Sequence, residues 1–384
     1  MRTLDVVVVG AGLAGLTTAL RLARGGARVM LVEARQDVGR GVRTTGIFVR
    51  RTLEDFEFPP GTLGPPVRRV ALYSPRGRRL VIESPHVEYR VGRMERLYRH
   101  LLDACWRAGV TCVLRTRLED VVATSPGSEL LLRSGPRAWR VSARFIVGAD
   151  GARSRVAQWL GLDGNHRWIV GAEEVFEGIP LDGPPIFHCH IDPLIAPGYL
   201  AWVVADGDST HVGVGGYASR FEPAAALAAF RRRVEPALAL CRGHVTERRG
   251  GLIPVNGLLR QIASPRGLLV GDAAGAVSPL SAGGLDACIR LSEHAARLLL
   301  EGLVDGPGAL SRYDGRPLRT RFASRLGMRR LLDMFASPMA VEIALAALRT
   351  PPLRPLVRHI FFGDGSFPDP QLSGSRTRFV SRTT

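Results

Sequence analysis

With 384 residues, 46% of them apolar, and 44 glycines, the chain is long enough for two intertwined domains and apolar enough to pack them as an α/β protein. Its formal charge of +17 is carried by arginine alone, since the sequence contains no lysine, and the arginines are spread along the chain rather than gathered into a basic arm. No helix-turn-helix, zinc-finger or RNA-binding signature accompanies them, which excludes nucleic acid as the expected partner and favours an anionic substrate or an anionic membrane surface.

The first element is the apolar strand in VVVVGAGLAG, followed by Gly10, Gly12 and Gly15 in G-x-G-x-x-G spacing. A helix follows, with its apolar stripe at Leu13, Leu16, Leu20 and Ala23 and its stop at Gly25 and Gly26. The next strand, ARVMLVEA, delivers Glu33 and its neighbour Ala34 about 20 residues after the glycines, where an acidic side chain holds ribose hydroxyls. Glycines let the backbone approach a pyrophosphate at a helix N-terminus, where N–H groups and the helix dipole favour negative charge. The order strand, glycine turn, helix, strand and acid reads as dinucleotide binding, and a glutamate implies a free 2'-hydroxyl, hence FAD or NAD rather than NADP. Arg35, Arg40 and Arg43 come next, either as cations for the phosphates or as solvated loop charges.

Further along, RFIVGADGARSRVAQWLGL is a strand ending at Asp150-Gly151 and a helix that Ser154 caps. FHCHID places His188, His190 and Asp192 on one face of a strand, as substrate-pocket lining or ordinary strand positions; no further cluster supports a metal. Tyr199 and Trp202 are pocket walls or core residues of the same sheet. HVGVGGYASRF alternates like a strand and lacks a second dinucleotide fingerprint, so bound FAD with NAD(P)H or another external electron donor is preferred over a two-dinucleotide reductase. LLVGDAAGAVSPLSAGGLDACIR carries glycines at 271, 275, 283 and 284 and opens a helix at Leu285, which suggests backbone lying against a cofactor. From about residue 308, apolar helical stretches alternate with arginines and prolines, suiting a helical cap, a dimer contact or an interfacial surface.

The five cysteines, Cys105, Cys112, Cys189, Cys241 and Cys288, form no redox pair and read as reduced thiols of a cytoplasmic protein. The N-terminal apolar run is too short for a signal peptide, and no segment reaches the ~20 apolar residues that span a bilayer. Peripheral contact with the inner face of the membrane stays open.

Together, the N-terminal glycine motif, the Asp150-Gly151 motif and the Gly271-Asp272 motif resemble, over about the first 310 residues, the fingerprints of the FAD-dependent para-hydroxybenzoate hydroxylase superfamily. Within it, YRVGRMERLYRHLLDACWRAGV and IAPGYLAWVVADGDSTHVGVG resemble geranylgeranyl reductase-type flavoproteins. The segment Pro197-Gly198-Tyr199-Leu200-Ala201-Trp202 is one residue wider between tyrosine and tryptophan than that family's pattern, and Thr44 and Thr45 stand where a cysteine is often found. The resemblance implies that Asp272 bonds the ribityl chain, that Pro279 and the Gly283-Gly284-Leu285 backbone lie beside the isoalloxazine, and that Arg93 contacts the pyrophosphate. Leu118 belongs to the same expected cofactor set.

It also implies an α/β fold: a Rossmann-like three-layer FAD-binding domain of glutathione-reductase type, with an inserted antiparallel sheet and a helical C-terminal extension. The expected boundaries are 1–72, 92–162 and 264–308 for the FAD-binding domain, 73–91 and 163–263 for the substrate domain, and 309–384 for the helical region. The implied activity is FAD-dependent reduction of carbon–carbon double bonds in an apolar, isoprenoid-type substrate, with an electron-donor protein among the candidate partners. The alternatives are an FAD-dependent monooxygenase of an aromatic or small metabolite, an isomerase or cyclase using reduced flavin without net redox change, and a flavin-containing lipid carrier. A halogenase is disfavoured because that resemblance requires a catalytic lysine.

Overall fold

The computed structural model describes residues 4–179, 183–333, 337–362 and 377–378. Its helices are α1 (Leu13–Arg24), α2 (Arg50–Asp55), α3 (Met94–Arg107), α4 (Arg155–Leu160), α5 (Pro223–Leu238), α6 (Leu285–Asp305), α7 (Arg316–Leu332), α8 (Pro338–Leu348) and α9 (Arg354–Phe362).

The run of four valines is explained by a parallel sheet covered on both faces, since such strands have no solvent side on which to place a polar residue. Leu4–Val9 lies at the centre of this sheet, between Arg137–Gly148 and Val29–Val32; Gly267–Leu269 and Thr111–Val113 lie beyond them. Val6, Val7 and Val8 are fully buried. Helix α1 packs against α3 and α6, and the leucines of all three share one core with the sheet. The N-terminal part of the Arg137–Gly148 strand pairs antiparallel with Gly127–Ser134, which pairs in turn with Arg117–Thr124. These strands add Leu118, Leu130 and Leu132 to the same core.

A second sheet runs in the order His244–Pro254, Trp168–Glu177, Thr210–Tyr217, Ala201–Ala205, Ile186–His190, Arg69–Tyr73 and Arg79–Glu83. Its pairs are antiparallel except Ile186–His190 against Arg69–Tyr73. Helix α5 covers one face, seating Phe230 among Phe176, Val203, Val212 and Val214. The other face looks towards the first sheet. This sheet takes in Arg69–Tyr73, four residues before the boundary expected at 73, because Val70 and Leu72 pack with Ile82 and Cys189 in a core apart from the parallel sheet. A lone short strand carries no local cue to which sheet will pair with it.

The helices after residue 308 close the open edge between the sheets. Arg329 on α7 is 1% exposed and donates to Tyr217 Oη (3.0 Å), the Pro279 carbonyl (2.7 Å) and the Gly198 carbonyl (3.1 Å). One guanidinium therefore ties the C-terminal region to both sheets, and its burial is offset by three oxygen acceptors. Val341 and Leu345 of α8 pack on the Val70–Leu72–Ile82 cluster.

Candidate functional site

Between the sheets lies a cavity of about 1030 Å³, bounded at one end by Gly12, Leu13 and Ala14 and at the other by the C-terminal helices. Each of the three glycines in the first turn has its own task. Gly10 has φ +102°, and a Cβ there would meet the Ala149 carbonyl oxygen at 2.4 Å; a Cβ on Gly15 would meet the Gly10 carbonyl oxygen at 1.8 Å. Both are required by the close packing of α1 on its strands. Gly12 has nothing within 4 Å and lines the cavity. It is the glycine that opens space for a ligand, at the N-terminus of a helix with no acidic residue in its first turn.

Glu33 stands beside this turn. Its Oε2 accepts from the Ala11 N–H (2.7 Å), while Oε1 accepts from the Arg35 N–H (2.8 Å) and Arg35 Nε (3.1 Å). Burial alone raises the carboxyl pKa, but Arg35 and the two backbone donors outweigh it and hold the group below its ordinary value. Glu33 therefore braces the glycine turn as well as ending the strand expected to meet a ribose. Arg35 is spent on Glu33 and on the carbonyls of Val38 and Arg40, and Ala34 is exposed outside the cavity. Arg40 is exposed on its loop, whereas Arg43, Thr44 and Thr45 line the cavity.

Asp272 faces the cavity, and no donor reaches its carboxylate among the described residues, although its backbone carbonyl accepts from Asn165 Nδ2 (2.8 Å). Desolvation pushes its pKa up to about 6. A half-buried carboxylate that faces a cavity without a donor is costly, and a polyhydroxyl chain is a fitting partner for it. Gly271, Gly283, Gly284 and Leu285 line the same wall, and α6 begins at Leu285 as the sequence predicts. These features fit FAD: open backbone at one helix N-terminus, an unpaired carboxylate between, and a second helix N-terminus beyond.

Several expected cofactor residues stand elsewhere. Arg93 lies outside the cavity and pairs with Asp208 at 2.8 Å, because its position at the head of α3 brings it to the turn after Ala201–Ala205. Leu118 is a core residue, 5% exposed and opposite Leu132. Asp150 accepts from Ser154 Oγ (2.6 Å) and the Arg155 N–H (2.8 Å), holding the start of α4, which Ser154 caps through the Ala157 N–H (3.0 Å). Its neighbours Ala149 and Gly151 line the cavity instead. Pro279 is buried behind that wall, with its carbonyl on Arg329.

On the second sheet, alternation sorts the expected pocket residues. Phe187, Cys189 and Ile191 line the cavity, so His188 and His190 point to the opposite face. His188 Nδ1 meets Tyr73 Oη at 2.9 Å, and His190 stacks on the Tyr73 ring with centroids 4.3 Å apart. Desolvation and a nearby arginine lower their pKa values to about 4 and about 3. Asp192 pairs with Arg233 of α5 at 2.5 Å. The histidines belong to the α5 layer and do not line the cavity.

Tyr199 and Trp202 do line the cavity. Their rings lie over Gly215 and Gly213, where a Cβ would come within 2.7 Å and 2.3 Å of them. That explains the alternating glycines of HVGVGG: they clear a flat floor for two aromatic rings. Tyr199 Oη donates to the Ser281 carbonyl (2.6 Å), linking this floor to the Gly283-Gly284 turn, and Trp202 Nε1 donates to Glu173 Oε2 (3.0 Å). Glu173, His211 and Arg249 escaped the sequence reading. They come from three strands, and only the period-2 alternation with neighbouring glycines marks them as one face.

A family model for an FAD binding domain matches residues 3–175. The chain is 30% identical over 319 residues to the digeranylgeranylglycerophospholipid reductase of Methanothrix thermoacetophila, covering 79% of each chain. It is 30% identical over 326 residues to digeranylgeranylglycerophospholipid reductase 1 of Methanopyrus kandleri, covering 81% of this chain and 85% of that one. In fold it is similar to a geranylgeranyl bacteriochlorophyll reductase-like protein of Thermoplasma acidophilum (TM-score 0.77, 21% identity, 94% of this chain and 100% of that one). It is also similar to p-nitrophenol 4-monooxygenase of Pseudomonas putida (TM-score 0.68, 20% identity, 95% of each chain). The glycine turn, the unpaired Asp272 and the relatives agree: the chain belongs to the geranylgeranyl reductase family of FAD-dependent oxidoreductases.

Proposed function

We propose that the protein saturates carbon–carbon double bonds of a geranylgeranyl-type lipid, drawing electrons through FAD from NAD(P)H or a donor protein. The observation that carries this reading is the continuity of the cavity. One space passes from Gly12 and Asp272 to an apolar half walled by Phe187, Leu200, Trp202, Leu348 and Ile360. Bound FAD supplies the electron pair as a hydride; the protein's part is to lay an alkene against it and keep water out.

In this reading Gly12 and the head of α1 take the pyrophosphate, Glu33, braced by Arg35, takes the adenosine ribose, and Asp272 takes the ribityl hydroxyls. The Gly283-Gly284-Leu285 backbone flanks the flavin ring, and Tyr199 and Trp202 form the floor on which the isoprenoid rests. Helices α7, α8 and α9 act as a cap over the chain's entrance. The outer side of α8 exposes Met339 and Ile343 (54% and 64%), and Arg349, Arg354 and Arg358 are exposed nearby. Apolar side chains fringed by arginine suit peripheral contact with an anionic bilayer, from which a lipid tail can enter. No helix among the described residues is long and apolar enough to cross a membrane.

The test is anaerobic: reduced protein is mixed with a geranylgeranyl glycerophospholipid, and the flavin spectrum and the lipid mass are followed together. Flavin reoxidation with a gain of two hydrogens per double bond supports the reading. No reoxidation by the lipid, with fast reoxidation by air and a hydroxylated small-molecule product, returns the monooxygenase reading to first place.

A further inference from the structure

Behind the aromatic floor, three ionisable side chains run from the cavity wall towards the surface. Glu173, His211 and Asp206 are 4%, 1% and 6% exposed, and Glu173 lines the cavity. Glu173 Oε2 accepts from the Thr45 hydroxyl and from Trp202 Nε1, while Oε1 lies 3.1 Å from His211 Nδ1 and 3.4 Å from Arg249 Nη1. His211 Nε2 lies 3.3 Å from Asp206 Oδ2. The other Asp206 oxygen accepts the N–H groups of Asp208 and Ser209 (2.9 and 2.7 Å), and Asp208 is solvent-exposed and paired with Arg93 and Arg96.

Burying three ionisable groups is costly, and the floor itself requires only an acceptor for one indole N–H. A ring nitrogen facing a carboxylate must donate; with a carboxylate on each side, only the imidazolium satisfies both. The geometry therefore stores one proton, in a chain that runs from Glu173 at the cavity wall to Asp206, which is buried directly beneath the exposed turn at Asp208.

We propose that Asp206, His211 and Glu173 form a proton relay for the reduction, in which Glu173 is the group that protonates the substrate. The proposal rests on the reductase reading. Saturating a double bond takes two electrons and two hydrogens: one arrives as hydride with the electron pair from reduced flavin, the other as a proton. The His211 Nδ1–H bond breaks as an O–H bond forms on Glu173; that bond breaks as the new C–H bond forms. Neutral His211 then recovers a proton from solvent by way of Asp206. Thr45, Trp202 and Arg249, itself held by Glu247 at 2.6 Å, fix the Glu173 carboxyl at the wall. His211 and Asp206 act through Glu173 and are positioning residues.

The test uses the flavin-loaded protein. Nitrogen-15 spectra of the histidine rings should show His211 protonated on both nitrogens at neutral pH and losing a proton near pH 9; a neutral ring at pH 7 overturns the relay without any turnover measurement. His211→Gln and Glu173→Gln should each slow reduction of a geranylgeranyl lipid about tenfold or more, with KM within about twofold. The wild-type rate should fall as pH rises through about 9, and the His211→Gln rate should be low and flat there. A folded, flavin-loaded His211→Gln protein with the wild-type rate and pH profile overturns the relay alone. If neither variant folds, the ring titration and the wild-type pH profile still decide. A wild type that leaves the lipid unsaturated overturns the reductase reading and the relay with it.

Discussion

The two walls of the cavity are built from different materials. The nucleotide wall is backbone: glycine turns, two helix N-termini and the carboxylate of Asp272, which no donor reaches among the described residues. The opposite wall is side chain: two aromatic rings laid on Gly213 and Gly215, with a carboxylate and an imidazole behind them. A cofactor shared by many chemistries is met by the group every residue has, whereas a particular substrate is met by groups only a few residues have. The nucleotide wall should therefore fail by losing the flavin, and the side-chain wall by losing turnover while the flavin stays.

The largest effect is expected at Gly15→Ala. The new methyl would lie 1.8 Å from the Gly10 carbonyl oxygen, so α1 must leave its strand. Little flavin-loaded protein should be recovered, as judged by flavin absorbance per protein. Gly12→Ala sharpens the point, because open space lies in front of it. That variant should fold with near wild-type melting yet bind FAD more weakly by about tenfold; equal losses from both variants would erase the distinction between a packing glycine and a ligand glycine.

Next comes Asp272→Ala, which should weaken FAD about tenfold to a hundredfold, the range for a hydrogen bond to a charged group. The flavin-free protein offers a second readout. Burial raises this carboxyl to about 6, so the folded state binds its proton more tightly than the unfolded chain does. The wild type should lose stability as pH rises from about 4 through about 6, and the variant should lack that decline. Denaturant melts at several pH values measure it.

The same contrast explains what the sequence discloses. Spacing discloses the nucleotide wall, because Gly10, Gly12, Gly15 and Glu33 act within one βαβ unit, and the order of the three motifs carries the fold. Alternation discloses that His188 and His190 share a face, but not which face, since either side of that sheet is covered. Arg93 and Asp150 belong to motifs expected to meet the cofactor, and each is claimed by another partner: Arg93 by Asp208, which only tertiary structure supplies, and Asp150 by the head of α4. Glu173, His211 and Arg249 lie on strands 38 to 76 residues apart and meet through register alone.

On the side-chain wall the expected losses are smaller and leave the flavin in place. Gly213→Ala puts a methyl 2.3 Å from the Trp202 ring. The indole must tilt, and its hydrogen bond to Glu173 breaks. Overpacking of this kind costs about 1–3 kcal/mol. Turnover should drop several-fold with FAD content unchanged; loss of FAD instead would mean that the two walls are coupled.

The smallest effect is expected at the two histidines of the FHCHID strand. His188 sits on Tyr73 and His190 stacks beside it, both on the α5 side of the sheet, so His188→Leu should change turnover by less than about twofold and act, if at all, on stability. Cys189 is the control: it is fully buried, lies between the two histidines in sequence and faces the cavity. Cys189→Phe adds bulk where an isoprenoid would lie and should raise KM severalfold while leaving FAD bound, which steady-state kinetics on lipids of increasing length will show. A Cys189→Phe enzyme indifferent to lipid length, beside a His188→Leu enzyme that loses its substrate, would mean that the strand presents its other face to the reaction.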